Sequence, residues 1–312
     1  MSFSNHIEKS RVIGRKVSEE IDWSLALVLP GLFLFTAFML FPMLYLLYLS
    51  ITNATPATVF QGEEIIVGLE NYIRVLTDPQ FWNSFGITWL WVFTSVILKM
   101  IFAVGIAIVV TSRGVLGKRW FQALLILPYG FPPIFRVVIF RGIFSTARFG
   151  LANQFLLWLG FEPVAWLSRR WMAFISYNIT EVWLSYPFLL LIIIGALQGV
   201  PDSLVDAAKV DGAGPAHRFI NVTLPAIKRP VLFATILTSA ASFQNFIIPF
   251  VFNGGGPSRT NELIILYGYK EAFNYGAYGQ GSAIMVIALV FIGLFMIINV
   301  KKGKLADKEK GA

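Results

Sequence analysis

The chain has 312 residues, 56% of them apolar and only 13% charged, against about 25% charged in ordinary soluble domains. With a mean hydropathy of +0.70 it has too little polar surface for a water-soluble domain. The absence of cysteine excludes disulfides, thiol catalysis and cysteine-ligated metal sites, and histidine occurs only at His6 and His217, which leaves no cluster suited to a metal or hydrolase centre. The net charge of +8 would suit nucleic acid in a soluble protein. Here its distribution follows membrane topology instead.

The apolar residues fall in runs near the ~20 residues that a helix needs to cross the hydrocarbon core, longer than the alternating segments of a β-barrel. The expected fold is therefore all-α, a polytopic helical membrane protein. In chain order, an N-terminal tail (1–23) precedes a first span over roughly 24–50 and an external loop to 85. Five more spans follow over 86–111, 120–145, 172–198, 230–252 and 279–300. These five make up a core from 86 to 300, and a basic tail (301–312) closes the chain. Ala54 and Ala57 could imitate a signal-peptide cleavage site, but the first span is too long and follows too many charges. Pro128, Pro132 and Pro133 are expected to break the first half of span three.

Lysine and arginine outside the spans divide unequally. Lys9, Arg11, Arg15 and Lys16 precede span one; Arg113, Lys118 and Arg119 follow span two; Lys209, Arg218, Lys228 and Arg229 follow span four; Lys301, Lys302, Lys304, Lys308 and Lys310 follow span six. That is sixteen on one side, against Arg74, Arg148, Arg169, Arg170, Arg259 and Lys270 on the other. The positive-inside rule puts both termini in the cytoplasm of a multi-pass cell-membrane protein and makes the number of spans even.

The same rule makes the loop from Asp206 to Pro230 cytoplasmic. After Pro201, Asp202 and Ser203 suit a helix start, with Asp206 spaced for a capping-box-like contact with Ser203. Leu204, Val205, Ala207 and Ala208 give a small apolar face at helical spacing. Asp211-Gly212-Ala213-Gly214-Pro215 should end that helix, and a second turn is expected over Ala216–Val222, ahead of Leu224-Pro225.

Asp206-Ala207-Ala208, Asp211-Gly212-Ala213, Phe219, Leu224-Pro225 and Pro230 stand at the spacings of the EAA loop. On these residues the chain resembles the permease subunits of binding-protein-dependent ABC importers. Asp206 departs from the pattern, whose first residue is Glu; the charge is kept and the reach shortened by one methylene. Gly68-Leu69-Glu70-Asn71-Tyr72, Phe81-Trp82, Leu127-Pro128, Gly150-Leu151-Ala152-Asn153, the Trp183–Pro187 region, Gly254-Gly255-Gly256-Pro257 and Tyr278-Gly279-Gln280-Gly281-Ser282-Ala283 extend the likeness. They resemble the maltose-type, carbohydrate-importing branch, without the large insertion that some members carry in the first external loop.

The resemblance implies a non-catalytic translocation subunit. It implies as partners a second homologous permease, two cytoplasmic ABC ATPases and an extracytoplasmic solute-binding protein, with ATP and Mg on the ATPases and no cofactor on this chain. No glycine-rich phosphate loop followed by Lys and Ser/Thr occurs. By the same resemblance Leu204, Asp206, Ala207, Ala208, Asp211, Gly212, Ala213, Phe219, Leu224 and Pro225 would dock the ATPase. A ligand-driven switch needs contacts that differ between its two states, and a rigid helix ahead of a glycine hinge can transmit one.

An ionised group near the bilayer centre costs at least ~2.5–3.5 kcal/mol and needs a partner or a wet cavity. Lys99 and Glu181 are such groups, either as a pair or with separate partners; Arg136 and Arg141 are candidates to reach the outer headgroups. For the solute, the resemblance favours span five, at Ser242, Gln244, Asn245 and Phe246. Amides beside an aromatic ring suit sugar hydroxyls and a pyranose face, although such residues also bond neighbouring helices. Tyr177, Asn178, Glu181, Trp183 and Tyr186 in span four are further candidates, or interfacial anchors. Two other transport readings stay open at this point. One is an importer of a phosphorylated polyol, to which Arg136, Arg141 and Lys99 would suit; the other is an ion-coupled secondary transporter using Glu181. A membrane enzyme lacks any catalytic cluster.

Overall fold

The structure is a computed structural model that describes residues 27–112 and 116–308. His6, the first three residues of span one and, among the counted charges, Lys9, Arg11, Arg15, Lys16, Arg113 and Lys310 lie outside the described residues. Among those described, the only β-pairing is an isolated bridge between Thr52 and Ile66. The remaining architecture is helical.

Helix α1 (Leu27–Ser50) is long and apolar enough to cross a membrane. A π-helical turn at Thr36–Leu40 precedes Pro42, which has no N–H to give the helix; a widened turn absorbs the lost bond. The short helices α2 (Pro56–Gln61) and α3 (Glu70–Thr77) lie between the first and second spans. The second span, α4 (Pro79–Thr111), begins seven residues before the expected 86, capped by the Asp78 carboxylate on the Gln80 N–H at 2.8 Å.

Span three is two helices rather than one. From α5 (Lys118–Ile126) the chain makes a 3₁₀ turn at Leu127–Gly130, then turns through 95° into α6 (Pro133–Ile143). The sequence dictates the bend: each proline pushes the residue before it out of the α region, and Phe131 and Pro132 are both extended, at ψ 144° and 137°. After α7 (Leu151–Trp158), the fourth span is α8 (Arg170–Gln198), with Pro187 in its interior.

The polar loop follows as α9 (Asp202–Val210) and α10 (Pro215–Arg218), continued by a π turn over Phe219–Thr223. Pro201, which has no capping side chain, is the N-cap residue of α9. With Pro201 at the N-cap, Ser203 stands inside the helix rather than at its cap as the expected capping box required; the Asp206 carboxylate lies 2.6 Å from Lys209 one turn on. The second turn begins at Pro215, one residue ahead of the expected Ala216.

Span five is also divided, into α11 (Lys228–Phe243) and α12 (Ile247–Asn253). Pro249 explains the break, because its ring would clash with the carbonyl four residues back, at Asn245. Finally α13 (Ile264–Tyr269) lies in the loop after span five and α14 (Tyr278–Lys308) is the sixth span.

The packing fixes the number of crossings. Along α4 and α8, Asn83 meets Arg170, Thr94 meets Asn178, Lys99 meets Glu181 and Phe102 meets Tyr186. Residue numbers rise together, so the two helices run parallel. Parallel neighbours need an odd number of crossings between them. The bent α5–α6 unit is therefore one crossing, and the described residues hold six spans.

Two apolar clusters stack along this bundle. The one nearer α9 centres on Ala103, Ala107, Leu189, Ile193, Ile227 and Ala234; Ala103 and Ala107, one turn apart and fully buried, let α4 and α8 approach closely. The other centres on Trp91, Tyr177, Phe243, Phe252, Ile264 and Tyr267. Gly279 closes the outer packing: a Cβ there would sit 2.2 Å from the Thr52 carbonyl oxygen.

Candidate functional site

Between the two apolar clusters lies a polar layer built from three helices. Lys99 of α4, 0% exposed, places Nζ 2.8 Å from Glu181 Oε1 on α8 and donates to Ser242 Oγ on α11 at 2.6 Å. Asn245, in the break after α11, donates to Glu181 Oε2 at 3.0 Å, and its Oδ1 accepts the Ile248 N–H at 3.3 Å, which starts α12. Trp91 Nε1 donates to the Ser242 carbonyl at 3.0 Å. Of the two arrangements open to Lys99 and Glu181, the fold selects the pair. Both charges are satisfied, as a low-dielectric interior requires.

This layer borders a cavity of about 370 Å³ lined by Tyr129, Arg136, Glu181, Ser185, Gln244 and Phe246 among others. The 95° bend of span three and the break of span five open it: both remove backbone where a continuous helix would run. Of the two places open to Arg136, the headgroups and the solute path, the fold takes the inward one, and the arginine NH1 donates to the Leu184 carbonyl at 2.9 Å. Its guanidinium lies 5.3 Å from the centre of the Tyr129 ring. Arg141 is exposed.

The candidate solute residues therefore separate. Glu181, Gln244, Asn245 and Phe246 line the cavity, and Gln244 is exposed at the end of α11. Ser242 is buried behind them. Tyr177 is fully buried and donates its hydroxyl to Asn253, Asn178 is tied to Thr94, and neither reaches the cavity. Trp183, 42% exposed, packs with Tyr186 on the helix exterior, and the Tyr186 hydroxyl donates to the Leu125 carbonyl at 2.9 Å. Phe246 also starts an aromatic row that continues through Phe250, Tyr269 and Phe273.

The loop residues form a second surface. Asp206 and Ala208 are half-buried on α9, whereas Leu204, Ala207 and Val210 are exposed. Asp211 and Gly212 end the helix in the open, Gly212 at φ 78°; Ala213 and Phe219 are half-buried and Leu224 and Pro225 exposed. A cleft of about 730 Å³ separates α9 from the ends of α4 and α8, with Ile108, Thr111, Gln198, Val205 and Phe219 in its walls.

A third constellation was not foreseen in the sequence. Glu262, 0% exposed, accepts Arg259 Nε at 2.8 Å and lies 2.6 Å from Lys270 Nζ, while Arg259 NH2 reaches Glu271 at 2.8 Å. Hydrogen bonds from Gln80 and Asn83 tie this cluster to the start of α4. Tyr267 donates to Asp78 Oδ2 at 2.6 Å. Burial first, then the adjoining Asp78 carboxylate, raises the Tyr267 pKa and keeps the phenol a donor. Arg259 and Lys270 read in sequence only as outward charges; the acid at Glu262, three residues after Arg259, was the available signal.

Comparison with known proteins bears on the whole arrangement. Residues 103–301 match the family described as "Binding-protein-dependent transport system inner membrane component". The chain is 32% identical over 278 residues to the trehalose/maltose transport system permease protein MalF of Thermococcus litoralis, covering 89% of this chain and 92% of that one. It is also 32% identical over 256 residues to the maltose/maltodextrin permease protein MalF of Escherichia coli K12, covering 77% of this chain and 49% of that one; the chain thus spans about half the length of that relative. Among solved structures, a bacterial ABC transporter for import of the acidic polysaccharide alginate superposes with a TM-score of 0.75 at 19% identity, covering 93% of this chain and 98% of that one. That likeness concerns the fold. The family match covers most of the chain and takes in Glu181, Ser242 and Asn245 of the polar layer, the bent third span and the exposed loop helix: this protein belongs to the binding-protein-dependent transport system inner membrane components.

Proposed function

We propose that this chain is the translocation subunit of an ATP-driven importer that carries a sugar or oligosaccharide. The observation that carries this reading is the cavity between two interrupted spans, where Gln244 and Asn245 stand beside Phe246 in a chain whose relatives are named for maltose and trehalose. Amides offer a donor and an acceptor together, as a sugar hydroxyl does, and the ring supplies an apolar face. Glu181 is held by both oxygens, which argues against an ion-coupled carrier that must load and release a proton there.

In this reading a solute-binding protein delivers the cargo, a second homologous permease completes the path, and two ABC ATPases bind ATP and Mg. Helix α9 docks an ATPase through Leu204, Ala207 and the turn at Asp211-Gly212-Ala213. Both termini and α9 face the cytoplasm, and residues 86–300 form the transport core. The test uses the complete importer. Gln244→Ala and Asn245→Ala are expected to lower binding-protein-dependent uptake of a radiolabelled sugar about tenfold, one lost charge- or ligand-directed hydrogen bond being worth ~1.5 kcal/mol. The ATPase should still co-purify. Unchanged uptake kinetics in both variants would remove the two amides from the path.

A further inference from the structure

The cavity holds one charge more than its buried pair cancels. Lys99 and Glu181 neutralise each other, and Glu181 is the one carboxylate on the cavity wall. Arg136 lines the same cavity and, among the described residues, forms no ion pair. Of the five donors on a guanidinium, NH1 is engaged by the Leu184 carbonyl, and Nε is buried with no partner. Tyr129 covers one face at 5.3 Å. Arg136 is half-buried on the cavity wall with no protein carboxylate paired to it there, a place where a cation gains from an anionic partner. Ser185, Gln244 and Asn245 nearby are neutral and polar, so the site has the makings of a saccharide pocket with one fixed positive charge.

We propose that Arg136 selects cargo by charge, and that the transported saccharide bears a carboxylate, as a uronic acid does. This deepens the sugar-importer reading and rests on it. The planar fork of arginine matches a carboxylate with two parallel hydrogen bonds. One guanidinium balances one carboxylate, whereas a phosphate monoester, at about −1.5 to −2, would leave charge uncompensated in a medium of low dielectric constant. Helix α6 carries Arg136 immediately after the bend, so the group is placed by the same prolines that open the cavity.

The experiment uses the assembled importer in lipid nanodiscs, titrated calorimetrically with a disaccharide bearing a single uronic acid (glucuronosyl-glucose) and with its neutral methyl ester. The acid is expected to bind roughly tenfold or more tightly than the ester, the ratio that a charge-assisted pair supports. Arg136→Gln is expected to abolish that preference and Arg136→Lys to keep part of it. Equal binding of acid and ester by the unsubstituted importer would overturn the proposal, as would a preference that survives Arg136→Gln. Dissociation of the two permeases on Arg136→Gln would also overturn it, by assigning the residue to their interface. Maltose serves as the control for the underlying reading. If maltose binds and the acid does not, only the charge selection falls; if neither sugar binds to a complex that hydrolyses ATP, the sugar reading falls with it.

Discussion

Lys99 and Glu181 were each legible in the sequence as charges that must find partners, because no other charged residue lies within two turns of either on its own helix. Their partners were not legible, since they sit 82 positions apart. Removing one member leaves the other charge buried and unpaired, which costs about 3–5 kcal/mol. Lys99→Met should therefore lower the unfolding temperature of the detergent-purified protein substantially. The double variant Lys99→Met/Glu181→Gln should recover most of the loss, and a double variant no more stable than the worse single one would show that the pair is not what matters. For Arg136 the sequence left two places open, the headgroups or the solute path, and the 95° bend turns it into the bundle.

The elements were read best where backbone chemistry is local. Phe131 and Pro132 had to be extended because prolines follow them; the division of span five at Pro249 was not drawn, and that span was expected as one run over 230–252. Helix ends were read less well: α4 begins seven residues early because Asp78 caps it, a contact that hydropathy does not report. The exposed α9 carries the clearest prediction at this scale. Ala207→Glu puts a bulky charge on its open face, and Gly212→Pro forces a residue fixed near φ −65° into a position at φ 78°. Both are expected to abolish co-purification of the ATPase while the permease still inserts; a complex that survives both would take the docking role away from this loop. In the loop after span five, Gly255 at φ 75° faces Glu262, where a Cβ would lie 2.9 Å from the Glu262 Cα. Gly255→Ala should destabilise the protein by about 1–3 kcal/mol, detected as faster cleavage of that loop by trypsin at Arg259.

For the whole molecule, the absence of cysteine makes topology directly measurable. Arg148→Cys should react with a membrane-impermeant maleimide added to intact cells, and Lys209→Cys only after permeabilisation. Labelling of both from outside would contradict the orientation drawn from charge. The parallel run of α4 beside α8 is the packing counterpart of that orientation, and it makes the bent third span a crossing rather than a loop that returns to its own side.

The sequence by itself determined that the chain is helical and membrane-bound, roughly where its apolar helices lie, and which loop matches the EAA spacing. These follow from hydropathy, charge and residue spacing, all of which act over short stretches of chain. Only the tertiary structure decided that Lys99 meets Glu181 and Ser242, that Tyr177 belongs to the packing rather than the path, and that Arg136 faces a cavity. Those outcomes depend on contacts between helices far apart in sequence, where a turn of one helix or the bend of another changes which side chains meet.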